Sequence, residues 1–270
     1  MAGQTIRPGP ATKARFQKGI EKSQTRSSAK PSPNTDLASA RSPRLSLRNL
    51  PGGIAEIGVI GDIWPIMTPI STEGFRLFPQ RLSAQAQVDL LMQVRRRIVL
   101  APLYRAITPG GQHMSVAMTN FGSVGWYADR AGYRYQAEHP VTGTPWPDIP
   151  ALLLDLWHDV ADPCFPPDAC LVNYYDADAR MGLHQDRDEA DLRFPVLSVS
   201  LGDTAIFRIG GQRRTDPTRS VRLTSGDVCV LGGSARLAHH GIDRILVGSS
   251  RLVSEGGRFN LTLRRARPAD

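Results

Sequence analysis

Gly257-Arg258-Phe259-Asn260-Leu261-Thr262-Leu263-Arg264 alternates polar and apolar residues without a break. Side chains of an extended strand point to opposite faces with a period of two. Phe259, Leu261 and Leu263 therefore share one face, and Arg258, Asn260, Thr262 and Arg264 the other. The apolar face suits a core. The polar face carries two arginines whose α-carbons lie roughly 20 Å apart at ~3.3 Å per residue. Two long side chains leaning toward each other across that distance can bracket a small dicarboxylate. A guanidinium is suited to the task because it is planar, permanently charged and bidentate. Standing alone, the segment would be read as an edge strand with two surface arginines.

Working outward, the same grain of short strands is expected at 170–175, 194–201, 205–209, 220–223 and 227–231, separated by Gly and Asp turns. Many short strands so spaced indicate a sandwich or jelly roll. Two helices flank them. Ser83 is an N-cap candidate before Ala84, Val88, Leu91, Val94 and Ile98, which follow helical spacing, and Arg95 to Arg97 suit the negative end of that helix. A second helix is expected over 149–161, started by Pro150. The fold class is thus mainly β with flanking helices (α+β). The folded part is expected to start near Pro51, with the apolar 54–70 stretch forming strands and turns. No internal repeat is evident.

Leu183-His184-Gln185-Asp186-Arg187-Asp188-Glu189 adds chemistry. In an extended strand His184 and Asp186 project to one face, where an imidazole nitrogen and a carboxylate oxygen can reach one ion. Two His and one carboxylate on one side of an octahedral ion leave three positions open, the arrangement of non-heme Fe(II) oxygenases. His-x-Asp alone is weak evidence, and a third ligand must come from elsewhere; His240 is the best candidate. His239 precedes it, and strand neighbours face opposite sides, so at most one of the two points at the metal.

Further strings join these: Thr108-Pro109-Gly110-Gly111, Met114-Ser115-Val116-Ala117-Met118-Thr119-Asn120, Gly125-Trp126, Pro145-Trp146-Pro147, Asp168-Ala169-Cys170-Leu171 and Ser198-Val199-Ser200-Leu201-Gly202. Together with Leu183-His184-Gln185-Asp186 and Arg258-Phe259-Asn260-Leu261-Thr262, they resemble the AlkB family of Fe(II)- and 2-oxoglutarate-dependent nucleic-acid dealkylases. The resemblance runs from about residue 108 to residue 264. It implies a double-stranded β-helix (jelly roll) within 51–270, with a nucleotide-recognition cover at 108–135 and a catalytic β core at about 170–265.

The resemblance implies site roles as well. Arg236-Leu237, two residues, then His240-Gly241 matches the family pattern and selects His240 as the third iron ligand beside His184 and Asp186; His239 departs from an aromatic preference at its position. Asn173, Tyr175, Arg258 and Arg264 would hold 2-oxoglutarate, with Arg258 on the distal carboxylate and Arg264 also on Asp186. Trp126 and His184 would flank a damaged base, Tyr133 and Thr108 would lie near phosphates, Asp188 near the base's amine or positive charge, and Arg187 on a phosphate. Aromatic faces among cations suit single-strand binding and base extraction. Tyr127 and Tyr135 read as small-core aromatics, and His113, His139 and His158 as structural or exposed.

The implied reaction consumes O2 and 2-oxoglutarate at Fe(II), oxidises the methyl carbon of a cationic base such as 1-methyladenine or 3-methylcytosine, and releases formaldehyde and succinate. The implied partner is single-stranded DNA, with double-stranded DNA or RNA left open, and a monomer is expected. Two other readings stay open: an oxygenase using the same core on RNA, protein or a small molecule, and a non-enzymatic, metal-stabilised nucleic-acid binder.

Composition agrees with an enzyme domain: 41% hydrophobic and 21% charged over 270 residues. The formal charge of +8 is concentrated. Residues 1–50 carry ten bases and two acids, leaving 23 of each sign in the other 220. That basic, Ser-, Pro- and Ala-rich extension reads as disordered. It suits a phosphate-contacting arm, an organelle-type presequence or an extension without function. No apolar h-region follows its first charges, and no apolar run reaches the ~18 residues of a membrane span. Cys164, Cys170 and Cys229 are odd in number and form no C-x-x-C pair, which fits a reducing compartment and a cytoplasmic location.

Overall fold

The computed structural model describes residues 70–268. The expectations for 1–50, for a start near Pro51 and for 54–69 lie outside the described residues. In chain order the elements are β1 (Ile70–Thr72), β2 (Phe75–Phe78), α1 (Ala84–Leu100), β3 (Ala117–Gly122), β4 (Gly125–Asp129), β5 (Gly132–Gln136), α2 (Ala151–Val160), β6 (Ala169–Tyr175), β7 (Met181–His184), β8 (Val196–Gly202), β9 (Thr204–Ile209), β10 (Arg219–Leu223), β11 (Val228–Leu231), β12 (His240–Leu246) and β13 (Arg258–Arg264). Seven strands form a main sheet in the order β1-β2-β11-β8-β13-β6-β3, and four form a second in the order β10-β9-β12-β7. β4 and β5 pair only with each other. Pairing is antiparallel throughout these sheets. This is a jelly roll, one of the two architectures that the strand spacing leaves open and the one that the resemblance implies.

The alternation of β13 sorts its residues as read from the sequence. Phe259, Leu261 and Leu263 join Leu90, Leu91 and Val94 of α1 and Leu153, Leu156 and Trp157 of α2 in one core behind the main sheet. Each such large side chain stabilises the fold by ~1.5–3 kcal/mol on burial. On the opposite face, Val196, Cys229 and Leu231 pack against Phe207, Ile209, Ile242 and Ile245 of the second sheet. Arg258, Asn260, Thr262 and Arg264 border a cavity of about 500 Å³. The main sheet is therefore covered by helices on one side and by the second sheet on the other.

Ser83 caps α1, its hydroxyl accepting from the Ala86 amide at 3.1 Å. The buried stripe of α1 is turned from the one expected: Ala86, Gln87, Leu90, Leu91 and Val94 are buried, while Ala84 and Val88 are exposed. Gln87 explains the shift. Its amide donates to the Leu82 carbonyl at 3.0 Å and accepts from Ser225 Oγ at 2.6 Å, so a polar side chain is accommodated in the core-facing stripe. Of the three arginines, Arg97 alone lies in the last turn, where it donates to Gln93 O and Asp148 O; Arg95 pairs with Glu255. Pro150 starts α2 as expected.

β3 shows no alternation in sequence because Thr119 and Asn120, adjacent and polar, are both buried, satisfied by hydrogen bonds to the Ala101 carbonyl and the Trp126 backbone. The His184 segment also differs from expectation. β7 ends at His184, so Asp186 lies beyond the strand rather than two steps along it. Cross-strand pairing brings in the third ligand: His240, the first residue of β12, is the register partner of His184. Gly241 is required for that closeness, since a Cβ would lie 2.4 Å from the Met181 carbonyl oxygen.

Candidate active site

His184, Asp186 and His240 converge at the rim between the sheets, their donor atoms all within 4.8 Å of one another. His184 Nε2 lies 3.8 Å from Asp186 Oδ1, and His240 Nε2 lies 3.7 Å from Asp186 Oδ2. Both imidazoles are oriented in the same way. Nδ1 of His184 lies 2.9 Å from Gly182 O and Nδ1 of His240 lies 3.0 Å from Ala238 O. A carbonyl can only accept, so Nδ1 carries the proton and the Nε2 lone pair is free for a metal. Asp186 Oδ2 is buried without a hydrogen-bond partner among the described residues. A buried, unsatisfied carboxylate oxygen is costly. Beside two imidazole lone pairs it fits a cation, and the two-His, one-carboxylate donor set suits Fe(II).

Electrostatics favour the ligating forms. Burial alone would raise the Asp186 carboxyl, but Arg264 and the two histidines outweigh it and hold the group well below the usual carboxylate range. Burial, with His184 adding, pushes His240 down to about 4, so its imidazole is neutral near pH 7. Arg264 Nη2 donates to Asp186 Oδ1 at 2.8 Å.

The deep wall of the cavity holds Arg258, which is fully buried. Its guanidinium donates to Ser200 Oγ at 2.7 Å and to the carbonyls of Leu223 at 3.1 Å and Asp203 at 3.3 Å, and its Nε has no hydrogen-bond partner among the described residues. Among the described residues no carboxylate forms an ion pair with it. Burial pushes it down to about 10, which still leaves it cationic. A buried cation with only neutral partners is a receptor for an anion. Asn173 and Tyr175 project from β6 into the same cavity. Burial raises the Tyr175 phenol above its ordinary range, so it remains a donor.

Residues 74–264 match the family model described as the 2OG-Fe(II) oxygenase superfamily. An alpha-ketoglutarate-dependent dioxygenase AlkB homolog from Caulobacter vibrioides is 63% identical over 73% of this chain and 89% of its own length. The alpha-ketoglutarate-dependent dioxygenase AlkB of Escherichia coli is 41% identical over 78% of this chain and 98% of its own. The chain belongs to the AlkB family. A solved structure titled "The structure of OsALKBH1" superposes with a TM-score of 0.62 at 31% identity, covering 72% of this chain and 98% of that one. This AlkB-family protein is an Fe(II)- and 2-oxoglutarate-dependent dioxygenase, using O2 as second co-substrate.

The mouth of the AlkB-family cavity is formed by the β4–β5 hairpin. Trp126 and Tyr133 stack on one another, 5.6 Å between centroids and 19° between planes. Trp126 Nε1 donates to Asp188 Oδ2 at 2.8 Å. Asn120 fixes the Trp126 backbone from both sides, accepting from its amide and donating to its carbonyl, each at 3.0 Å. A Cβ on Gly125 would lie 2.6 Å from both the Asn120 side chain and Trp146, which gives the Gly125-Trp126 string a steric reason. Thr108 lines the same cavity, its hydroxyl accepting from the Gln112 amide at 3.2 Å. Arg187 borders it too, with its side chain exposed.

The links among three residues here are not read from the sequence, which gives Tyr135 as a core aromatic, Arg236 as part of the pattern before His240, and no role to Glu189. Glu189 is buried, Arg236 Nη2 donates to its Oε2 at 2.9 Å, and Tyr135 donates to its Oε1 at 2.6 Å. Tyr135, expected as a core aromatic, does pack against Val124, Ala169 and Ala266, and its hydroxyl reaches Glu189, which lines the cavity. The available signal was positional: Glu189 lies three residues after Asp186, and Arg236 opens the string that ends in His240. His139 is structural, with Nε2 2.8 Å from Pro102 O and its ring edge-on to Tyr104 and Trp146, while His113 and His158 are exposed. His239 borders the cavity, its Nδ1 buried and without a hydrogen-bond partner among the described residues. Cys170 and Cys229 fill the core, their thiols pushed up to about 12 by burial. Among the described residues no helix is long and apolar enough to cross a membrane.

Proposed function

We propose that this protein oxidatively demethylates alkylated nucleic-acid bases, with 1-methyladenine and 3-methylcytosine in single-stranded DNA as the first substrates to test and RNA as a second polymer. The observation that carries the reading is that one cavity joins three unlike elements: the His184, Asp186 and His240 donor set, the unpaired buried cation of Arg258, and the stacked Trp126 and Tyr133 at its mouth. A small anionic co-substrate fits the first two. A planar base fits the third, since every base has a π-face to stack.

In this reading His184, Asp186 and His240 hold the iron. Arg258 takes the distal carboxylate of 2-oxoglutarate in a bidentate fork, while Arg264, Asn173 and Tyr175 hold the rest of the molecule. When bound, the iron supplies oxidation of a methyl C–H bond by O2, coupled to conversion of 2-oxoglutarate to succinate and carbon dioxide. The resulting hydroxymethyl group on a ring nitrogen leaves as formaldehyde: the electrons of the broken C–N bond return to the nitrogen as its lone pair, the hydroxyl proton passes to solvent, and the neutral base is restored.

Trp126 stacks on the extracted base with His184 on its far side, and Asp188 accepts from the exocyclic amine. A carboxylate there also favours the positive charge of a ring-methylated base, modestly at this exposed position and more once the bound base excludes water from it. The indole N–H that now occupies Asp188 has to share or yield that acceptor when a base enters. Thr108, Tyr133 and Arg187 meet the flanking phosphates. The protein acts as a monomer, in the cytoplasm.

The test is an oligonucleotide carrying one 1-methyladenine, incubated with protein, Fe(II), 2-oxoglutarate and ascorbate and followed by mass spectrometry, with His184→Ala alongside. Loss of the methyl group that depends on both iron and 2-oxoglutarate is expected. Consumption of 2-oxoglutarate with the methyl group retained would defeat the substrate assignment.

A further inference from the structure

Trp126 and Tyr135 are direct register partners across the β4–β5 hairpin. Opposed residues of an antiparallel pair put their side chains on the same face. Each reaches an acidic residue of the segment that follows Asp186: Trp126 contacts Asp188 and Tyr135 contacts Glu189. The two contacts differ in depth. Asp188 is exposed, whereas Glu189 is 7% exposed and sits among buried charges.

Glu189 is where three pieces of chain meet. Its Oε1 accepts from Tyr135 of the hairpin and lies 3.3 Å from Arg264 Nε of β13. Its Oε2 accepts from Arg236, which precedes β12. Arg236 in turn donates to the backbone carbonyls of Asp186 and Phe194. Arg264 donates through Nη2 to Asp186 Oδ1, while its Nε, in ion-pair contact with Glu189, makes no hydrogen bond among the described residues. Removing the Glu189 charge would leave two buried guanidiniums to share what remains.

We propose that Glu189 is a positioning residue that couples the cover hairpin to the co-substrate end of the cavity, with Tyr135 as its arm on the hairpin side. Its carboxylate aims Arg264 at Asp186 and, by the same atoms, tethers the hairpin. The docked hairpin and the ordered Arg264 therefore favour one another. Coupling of this kind is reciprocal: whatever factor the docked hairpin adds to 2-oxoglutarate binding, bound 2-oxoglutarate adds to hairpin docking. The proposal rests on the reading above in taking the hairpin as a cover and Arg264 as a co-substrate residue.

Hydrogen exchange over 125–136 tests it on the full chain, with and without 2-oxoglutarate and Mn(II) under anaerobic conditions. In the native protein the additions are expected to slow hairpin exchange. In Tyr135→Phe, which keeps the ring and its packing, basal exchange is expected to rise roughly tenfold, the worth of one hydrogen bond to a charged acceptor. In that variant the response to 2-oxoglutarate should be lost and 2-oxoglutarate affinity should fall by a matching factor. Glu189→Gln, which retains an acceptor for Tyr135 but not the charge, should weaken 2-oxoglutarate binding more than it loosens the hairpin. A Tyr135→Phe hairpin that loosens yet still responds fully to 2-oxoglutarate would reduce the contact to local packing and overturn the proposal. No nucleic acid enters this experiment, so its failure would leave the demethylase reading standing, and a failed demethylation assay would leave the coupling standing.

Discussion

Strand β13 and the β4–β5 hairpin border the same cavity and are held in opposite ways. β13 is hydrogen-bonded along its length to β6 on one side and β8 on the other, and its two arginines are 0% and 6% exposed. The hairpin pairs only with itself, and Tyr133 at its face is 51% exposed. Segments with few buried contacts and exposed backbone hydrogen bonds open at low free-energy cost, while central strands open only near global unfolding. The co-substrate end is therefore built by folding itself. The base end is left adjustable, as a site must be that admits a nucleotide from a polymer.

That contrast predicts the largest losses at the fixed end. Asp186→Asn removes a ligand and strips Arg264 of its closest anion, so Fe(II)-dependent 2-oxoglutarate consumption should fall by more than about 100-fold. Thermal stability should fall as well, since breaking a buried ion pair costs ~3–5 kcal/mol; scanning calorimetry reads this directly. Arg258→Gln comes next. It preserves a donor for the Leu223 and Asp203 carbonyls but removes the charge, so the 2-oxoglutarate KM should rise about 100-fold, the worth of a charge-assisted fork, with Fe(II) affinity little changed. An unaltered KM would remove Arg258 from the co-substrate site and erase the contrast between the two regions.

The same contrast governs what was legible in the sequence. β13 could be read because one of its faces is apolar and the other polar, and the sandwich or jelly-roll class followed from its short neighbours. The buried face of α1 was misjudged because Gln87, polar by type, is hidden by two hydrogen bonds. The His184 and Asp186 pair is legible through i, i+2 spacing, although β7 ends at His184 and Asp186 lies beyond it; the third ligand, His240, comes in through its register against His184, which no local pattern encodes. The links among Glu189, Arg236 and Tyr135 escape the sequence for a common reason. Their significance lies in contacts between segments 47 and 54 residues apart, which no local pattern encodes.

At the adjustable end, effects should be smaller and confined to the nucleic acid. Trp126→Ala removes a stacking face worth ~1–3 kcal/mol, so the oligonucleotide KM should rise about tenfold while 2-oxoglutarate affinity stays within about twofold. A comparable loss of 2-oxoglutarate affinity would mean that the Trp126 contact with Asp188, beside the Tyr135 contact with Glu189, ties the hairpin to the co-substrate end.

Arg187 should give the smallest effect. It stands one residue after Asp186 yet is exposed and makes no hydrogen bond among the described residues, so its guanidinium is available to a phosphate without disturbing the buried charges behind it. An exposed phosphate contact acts through counterion release, and on a single strand each contributes about 0.7 to the slope of log affinity against log salt. Arg187→Ala should therefore weaken oligonucleotide binding severalfold at low salt, lessen that slope by about 0.7, and leave the preference between methylated and unmethylated base unchanged. Fluorescence anisotropy at several salt concentrations separates the outcomes. A changed base preference with an unchanged slope would assign Arg187 to the base pocket, and the adjustable end would then reach to within one residue of the iron ligand.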